Sequence, residues 1–398
     1  MKSAKVIIVG AGPVGTFAAY CLAEYGIETL VLESEASCEV DMRASTFHPS
    51  TLKYLNNLGL ADELILKGLK APIFQYRIRA TDEVLDFNLD ELNDVLDFPF
   101  RIQCEQYKFA RMLVEKLNNH KKSKVNFNSK VISFSEKKNK VIVDVLHSGK
   151  SEQYECEYLI GADGANSIVR RGLGIDFSGF TYKEKFFTLS TEKPFEKYFN
   201  DLSYVNYVSD PEDWFVLLKA PSAWRILVPV DESVDDSLIT SDEYVKGIFK
   251  RALNSDDPVE TIHRTIYRVH QRVVDRMRSG RILLAGDSAH LNNPLGGFGM
   301  NGGLHDAWNL SEKLDLIING GAGTELLDMY DRQRRTIMND FIQMQTIRNK
   351  KMIEESGDEK YSSEWSRMRD IHNNESDRRE YMMRQTMTQS LIHESQIL

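Results

Sequence analysis

The stretch "KVIIVGAGPVGTFAAYCLAEYGIETLVLES" (5–34) reads as strand, glycine turn, helix and second strand. Val6 to Val9 is a β-branched run of the length expected for a central parallel strand. From Val14 onward, Val14, Phe17, Cys21, Leu22 and Tyr25 keep helical spacing, and Gly26 supplies the stop. Between strand and helix lies Gly10-Ala11-Gly12-Pro13-Val14-Gly15. Gly10 permits the tight turn, Gly12 lets backbone approach a pyrophosphate, and Gly15 allows close helix–strand packing. The helix N-terminus offers free N–H groups and positive partial charge to that anion. Glu33, followed by Ser34, ends the second strand 18 residues past Gly15, near the spacing of a ribose-binding carboxylate. These features point to a dinucleotide containing adenosine, with FAD and NAD undistinguished.

Two later segments bear on that choice. "YECEYLIGADGANSIVRRGLGI" (154–175) predicts a strand over Tyr158–Ile160 running into Asp163-Gly164. Ser167 then caps a turn that carries Arg170 and Arg171. "GRILLAGDSAHLNNPLGGFGMNGGLHDAWNL" (280–310) predicts a strand over Arg281–Ala285, with Gly286-Asp287 at its C-terminal end. Ligands gather at that end of open α/β sheets, and Asp287 suits a polyol such as a ribityl chain. A helix follows with Ala307, Leu310, Leu314 and Ile317 on one face. Side chains at Gly296, Gly297, Gly299, Gly302 or Gly303 would collide with a planar ring lying against this wall. The backbone amides near Met300 and Asn301, with the helix dipole, would stabilise the negative charge of a reduced flavin.

Together, "GAGPVG" with Glu33, "YLIGADGANSIVR" and "GRILLAGDSAHLNNPLGGFGMN" resemble the FAD-dependent aromatic hydroxylases of the para-hydroxybenzoate hydroxylase type, the single-component group A flavoprotein monooxygenases. The resemblance covers roughly residues 1 to 340. It implies an α/β fold with a Rossmann-like FAD-binding domain, a βαβ start and a β-meander insertion, then a mixed-sheet substrate domain and C-terminal helices. The implied division is 1–72, 99–180 and 274–340 for FAD, 73–98 and 181–273 for substrate, and 341–398 as a helical extension.

By the same resemblance, Glu33 binds the adenosine ribose and Asp287 the ribityl chain. The carbonyl of Pro294 lies beside the reactive flavin edge. Asp163, Gly164 and Arg170 belong to a motif linked to both FAD and the pyridine nucleotide. Arg43, in "DMRASTFHPST" (41–51), matches an arginine near the FAD diphosphate and the path of flavin movement. Gln106, in "RIQCEQYKFARML" (101–113), is similar to a glutamine near the flavin. Arg43 and Pro294 are thereby catalytic candidates, and Arg225 and Tyr207 join them from the substrate-domain strands. Alternation in "WRILVPV" turns Arg225 and Leu227 to one face. Arg225 suits either a substrate carboxylate or phenolate, or a cross-strand ion pair. Tyr207 and His48 are open between substrate contact and core position.

The implied reaction uses NADH or NADPH and O2 to hydroxylate a small aromatic or heteroaromatic substrate through a flavin C4a-hydroperoxide. No second GxGxxG is present, consistent with a nicotinamide nucleotide that binds only transiently. A flavoprotein halogenase or isoprenoid reductase is the alternative, and a non-catalytic FAD-binding protein the rival from another class. The halogenases' Trp-x-Trp-x-Ile-Pro has only a loose echo in "AWRILVP" (223–229).

The bulk composition fits a globular protein: 398 residues, 42% hydrophobic and 27% charged. A formal charge of −9 argues against nucleic acid as a partner. Cys21, Cys38, Cys104 and Cys156 show no metal spacing and suit a reduced, cytoplasmic setting. No metal site and no membrane span are expected; a span would need ~18 consecutive apolar residues. Residues 124–160 read as a meander of "KVNF", "KVISFS", "KVIVDVL" and "QYECEYLI". The last ~70 residues read as helical. They either pack on the FAD domain, contact a second subunit of a homodimer, or lie partly disordered.

Overall fold

Strand Val6–Val9 lies inside a six-stranded sheet, flanked by Tyr158–Gly161 and Thr29–Leu32. Ile282–Leu284 extends it beyond Tyr158–Gly161, and Ser123–Asn126 beyond Thr29–Leu32, all in parallel. Parallel strands of this kind are covered on both faces, so Ile7, Ile8, Val31, Leu159, Ile160 and Leu283 are apolar without alternation. One face takes helices Pro13–Glu24, Gln106–Asn119 and Phe298–Ile318, whose Phe17, Cys21, Phe109, Leu113 and Leu304 form one cluster. The other takes a four-stranded sheet through Val141, Val143, Val145 and Tyr154. The computed structural model describes residues 2–40, 44–79, 81–210, 213–354 and 363–398.

The meander reading needs one correction. Ser129–Lys137, Lys140–His147 and Lys150–Cys156 do form an antiparallel run, joined by Lys2–Ser3. "KVNF" instead enters the six-stranded sheet as an edge, and Tyr158–Gly161 as an inner strand. The reason is the chain direction: helix Gln106–Asn119 carries the chain back across the sheet, and a strand returning from such a crossover pairs in parallel. Asn128, in the left-handed region at φ 51°, then breaks the chain away into the meander.

An eight-stranded sheet runs in the order His290–Leu291, His263–Val274, Phe177–Thr191, Ala223–Val230, Phe215–Ala220, Val205–Ser209, Ile73–Ile78 and Glu83–Asn88. Its outer face packs Phe187, Phe215, Trp224 and Ile226 against helix Asp242–Leu253. That helix is capped by Ser241, carries Asp242 and Glu243 in its first turn and Lys250 and Arg251 in its last, each favourable to its dipole.

The inner face carries Tyr76, Tyr207, Phe186 and Leu227, and the C-terminal segment closes over it. Met352, Ile353, Trp365, Met368, Tyr381 and Met382 bury there. Rim ion pairs Arg369–Glu83, Arg378–Glu91 and Arg379–Asp94 fasten helices Ser363–Asn373 and Glu375–Gln385 to the hairpin at 73–94. The described part of the extension is therefore packed, against both this sheet and the helices under the first one.

Packing outweighs charge in that closure, because solvent screens rim pairs while Trp365 is 1% exposed. Trp365→Ala is expected to cost roughly 3–5 kcal/mol of stability. Arg369→Ala is expected to cost about 1 kcal/mol or less. Urea unfolding of the two variants checks the ordering.

Candidate active site

At the first turn, backbone conformation and close approach require glycine. Gly10 sits at φ 104°, and a Cβ there would meet the Ala162 carbonyl oxygen at 2.4 Å. A Cβ on Gly15 would meet the Gly10 carbonyl oxygen at 2.0 Å. Gly12 differs: a Cβ there would meet nothing within 4 Å, so its face is open. Helix Pro13–Glu24 starts there with Pro13 in its first turn and no side-chain cap, leaving its amides to whatever enters the opening. The Glu33 carboxylate borders the same opening. It accepts from the Ala11 amide at 2.7 Å, from the Glu35 amide at 3.0 Å and from the Ser34 hydroxyl at 3.0 Å. This is a cradle fitted to a diphosphate with an acid beside it, as an adenine dinucleotide requires.

The Asp-Gly and Gly-Asp segments form one unit. Asp163 accepts from the Ser167 hydroxyl at 2.5 Å and from the Ile168 and Val169 amides at 2.7 and 3.2 Å. Ser167 caps the helical turn Ile168–Gly172, as its spacing predicts. Burial pushes the Asp163 carboxyl up, and these hydrogen bonds oppose the shift. Arg170 lies over the Phe177 ring and donates to the Ser288 carbonyl at 3.0 Å and the Ala165 carbonyl at 2.8 Å. Ser288 donates to the Gly161 carbonyl at 2.6 Å. Asp163 and Arg170 thus frame the turn at Gly164, which has φ 74°.

Gly286 follows strand Ile282–Leu284, and Asp287 is exposed at that strand's C-terminal end. Helix Phe298–Ile318 starts beside it without a side-chain cap, after Gly297 at φ 71°. The Pro294 carbonyl accepts from the Gly297 amide at 3.0 Å. A Cβ on Gly299 would touch only Asn292, at 3.4 Å, leaving the wall thin. Met300 turns its side chain into the cluster with Phe17. The Asn301 side chain is fully committed: it donates to the Thr46 and Gly297 carbonyls and accepts from the His48 amide and the Thr51 hydroxyl. At Met300 and Asn301, then, only the backbone remains for a ligand. Gln106 opens helix Gln106–Asn119, with its amide on the Ala44 carbonyl. Arg43 lies outside the described residues.

Across from the glycine loop, polar groups converge on Gly296. His48 Nε2 lies 2.9 Å from the Gly296 carbonyl, and its ring stacks on Phe298. Tyr207 stacks on Tyr76, whose hydroxyl meets that of Tyr381 at 2.8 Å. Burial raises the Tyr207 hydroxyl, against the pull of the neighbouring Arg101 guanidinium and the Gly296 amide. Arg101 is 1% exposed, sits 4.3 Å above the Phe74 ring, and gives Nη2 to the Gln385 carbonyl at 3.3 Å. Burial, reinforced by Arg101, pushes the His48 imidazole well down and keeps it neutral. Arg225 is buried and shares the inner face of the sheet with Leu227. Arg101, Tyr381 and Gln385 escaped sequence reasoning. The available signal was the charge of Arg101 at the head of a wholly buried strand, "RIQ".

Two uncapped helix starts and a thin glycine wall thus lie near the C-terminal ends of parallel strands Val6–Val9 and Ile282–Leu284, where α/β folds take up dinucleotides. A family model described as FAD binding domain matches residues 3–345. The 6-hydroxy-3-succinoylpyridine 3-monooxygenase of Pseudomonas putida is 34% identical over 336 residues, 83% of this chain and 84% of that relative. A para-nitrophenol 4-monooxygenase of Pseudomonas sp. is 30% identical over 356 residues, 88% and 87% of the two chains. The crystal structure of p-nitrophenol 4-monooxygenase from Pseudomonas putida matches with a TM-score of 0.91 at 28% identity, over 97% of this chain and 99% of that one. The chain belongs to the FAD-binding-domain family and is an FAD-dependent monooxygenase of the aromatic hydroxylase class. Among the described residues, no helix is long and apolar enough to cross a membrane.

Two expectations follow. Gly15→Ala forces the helix off the Gly10 carbonyl, so its FAD dissociation constant is expected to rise by about tenfold or more, read from flavin fluorescence on titrating apoprotein. The second concerns His305, buried with Nε2 on the Thr51 hydroxyl at 3.0 Å. Burial and then Arg334 lower it from 6.5 to about 3. A depressed histidine is protonated first in the unfolded chain. Its contribution is therefore complete above pH 6.5 and is lost as pH falls toward 3, by roughly 5 kcal/mol in all. Thermal unfolding between pH 8 and 4 should show a shallower acid decline in His305→Gln than in the parent chain.

Proposed function

We propose that this monooxygenase uses NADH or NADPH and O2 to hydroxylate a small phenol-type aromatic or heteroaromatic ring, with Arg101 holding the substrate's anionic oxygen. The observation that carries the proposal is Arg101 itself. Its Nε and Nη1 are buried beside Tyr207 with no hydrogen-bond partner within bonding geometry among the described residues, although Nη2 is fixed by Gln385. A buried guanidinium with idle donors is costly unless an anion takes them. The relatives named for 6-hydroxy-3-succinoylpyridine and para-nitrophenol act on compounds that fit such an anion.

His48 supplies the matching base. The Gly296 carbonyl can only accept, so Nε2 carries the hydrogen and Nδ1 keeps a lone pair. Nδ1 is buried with no hydrogen-bond partner among the described residues, and the ring is neutral. His48 takes the proton of the ring hydroxyl as Arg101 binds the resulting oxyanion, whose charge offsets the guanidinium that otherwise joins burial in holding the imidazole down, and the ring carbon gains nucleophilic character. Bound FAD supplies the two-electron passage from the nicotinamide nucleotide to O2. The balance is one substrate, O2, NAD(P)H and a proton in; hydroxylated product, NAD(P)+ and water out. Tyr207, Tyr76 and Tyr381 make the apolar wall that excludes water.

For the cofactor, we assign Gly10, Gly12, Pro13, Val14, Gly15, Glu33 and Ser34 to the adenosine diphosphate end. Gly286, Asp287, Pro294, Gly297, Gly299 and the Met300 and Asn301 amides serve the ribityl–flavin end. Asp163, Gly164 and Arg170 act as the frame between them, and Arg225 completes the substrate face. The three-part division at 73, 99, 181, 274 and 341 follows the same logic. Four buried, unbridged cysteines suit a cytoplasmic protein. A homodimer is kept as the assembly to test by light scattering.

The test is NAD(P)H oxidation with a panel of phenols under 18O2. One 18O atom in the product and ligand-stimulated oxidation are expected. Product oxygen drawn from water, or no phenol stimulating the reaction, sinks the reading. Arg101→Met should weaken phenolate binding about 10- to 100-fold. His48→Gln should slow turnover by ~100-fold or more, with recovery as pH approaches the phenol's own pKa.

A further inference from the structure

Behind the Gly286-Asp287 turn lies a buried chain of charges that reaches the last helix of the protein. The Gly286 amide donates to Asp306 Oδ2 at 2.9 Å, and His290 Nε2 meets the same oxygen at 2.6 Å. Asp306 Oδ1 accepts from Arg334 Nε at 2.7 Å. Arg334 turns its remaining donors to the Glu394 carboxylate and, at 3.2 Å, to the Gly302 carbonyl. Glu394 also accepts from Asn309 Nδ2 at 2.6 Å, and Lys313 closes the set through Asn309 Oδ1 at 2.7 Å. Asp306 and Arg334 are 0% exposed. Burial alone would push the Asp306 carboxyl up, yet the His290 imidazole and the Arg334 guanidinium hold it well below the usual range.

The geometry matters because Arg334 is shared. One guanidinium grips Asp306 on the flavin-side helix, Glu394 on the terminal helix Thr388–Glu394, and the carbonyl of Gly302. If Glu394 loses its charge, Arg334 keeps a single carboxylate. Its pull on Asp306 is then no longer balanced by a second carboxylate, and only the longer bond to the Gly302 carbonyl is left to set its angle. Asp306 is the acceptor that sets the Gly286 amide, and Gly286 at φ 64° is the hinge from which Asp287 projects.

We infer that Glu394 is a positioning residue for the cofactor: through Arg334 and Asp306 it sets the Gly286-Asp287 turn, making the terminal helix part of the FAD-binding machinery. This rests on assigning that turn to the flavin's ribityl chain.

The experiment compares FAD titration of full-length apoprotein, by fluorescence quenching, with the thermal midpoint of the same apoprotein. Glu394→Gln keeps size and loses charge. Its FAD dissociation constant is expected to rise at least tenfold, with visible-range circular dichroism of the bound flavin altered. Asn309→Ala removes one bond to Glu394 and should raise the constant about fivefold; it decides the matter if Glu394→Gln does not fold. Arg369→Ala, which breaks a rim ion pair of the same C-terminal segment, should leave FAD affinity within twofold. Parent-like affinity and dichroism in both network variants overturn the inference. So does an affinity loss that Arg369→Ala reproduces at an equal drop in midpoint. A parent chain that takes up no FAD would instead sink the cofactor assignment beneath it.

Discussion

The close approach of helix Phe298–Ile318 to the first glycine turn governs the arrangement of this molecule. A Cβ on Gly303 would lie 2.5 Å from Val14 and 3.0 Å from the Gly286 Cα. Three segments distant in sequence therefore touch through hydrogen-only positions: the start of the first helix, the Gly-Asp turn and the second helix. That contact brings the starts of the two helices together, and on the proposed cofactor assignment it is what lets both dipoles act on one long ligand. Anything larger at Gly303 would force these segments apart.

The same economy of space explains why the substrate side is built from the other sheet and from the C-terminal segment. The flavin wall is glycine and bare backbone, which offers amides and no acid–base group. Ionisable chemistry must come from across the gap. His48 arrives on a loop that Asn301 ties to the flavin-side helix, Arg101 on a short buried strand, and Tyr207 on the large sheet. Each is held by something rigid: His48 by Gly296 and Phe298, Arg101 by Phe74 and Gln385, Tyr207 by Tyr76. Fixed partners of this kind suit catalysis, since the groups need no reorganisation when charge develops.

Legibility in the sequence follows the range of the interaction. Gly10, Gly12, Gly15 and Glu33 act within one βαβ unit, so their spacing alone identifies the turn. Ser167 capping a turn is equally local. Arg101 and Gln385 are 284 residues apart, and neither has a local pattern that announces the other. "KVNF" was misplaced because four residues of alternating character suit a meander and a sheet edge equally; only the crossover helix decides. Asn301 was placed by its segment, yet its side chain ties residues 46–51 to the helix start, a contact no spacing rule encodes.

The C-terminal segment shows the limit most clearly. Its Met-, Arg- and Glu-rich composition reads as helical without saying what it packs on, and its rim ion pairs alone would suit a solvated layer. Yet it also delivers Tyr381 and Gln385 to the substrate side and Glu394 to the back of the cofactor turn. A layer that touches both sites couples them physically. Movement that loosened Tyr381 from Tyr76 would pull on the same short helices that present Glu394 to Arg334. On the proposed assignment, rigid packing of this segment is a condition for holding ring and substrate in register, because a misplacement of even ~1 Å at the reacting atoms carries a large cost in rate.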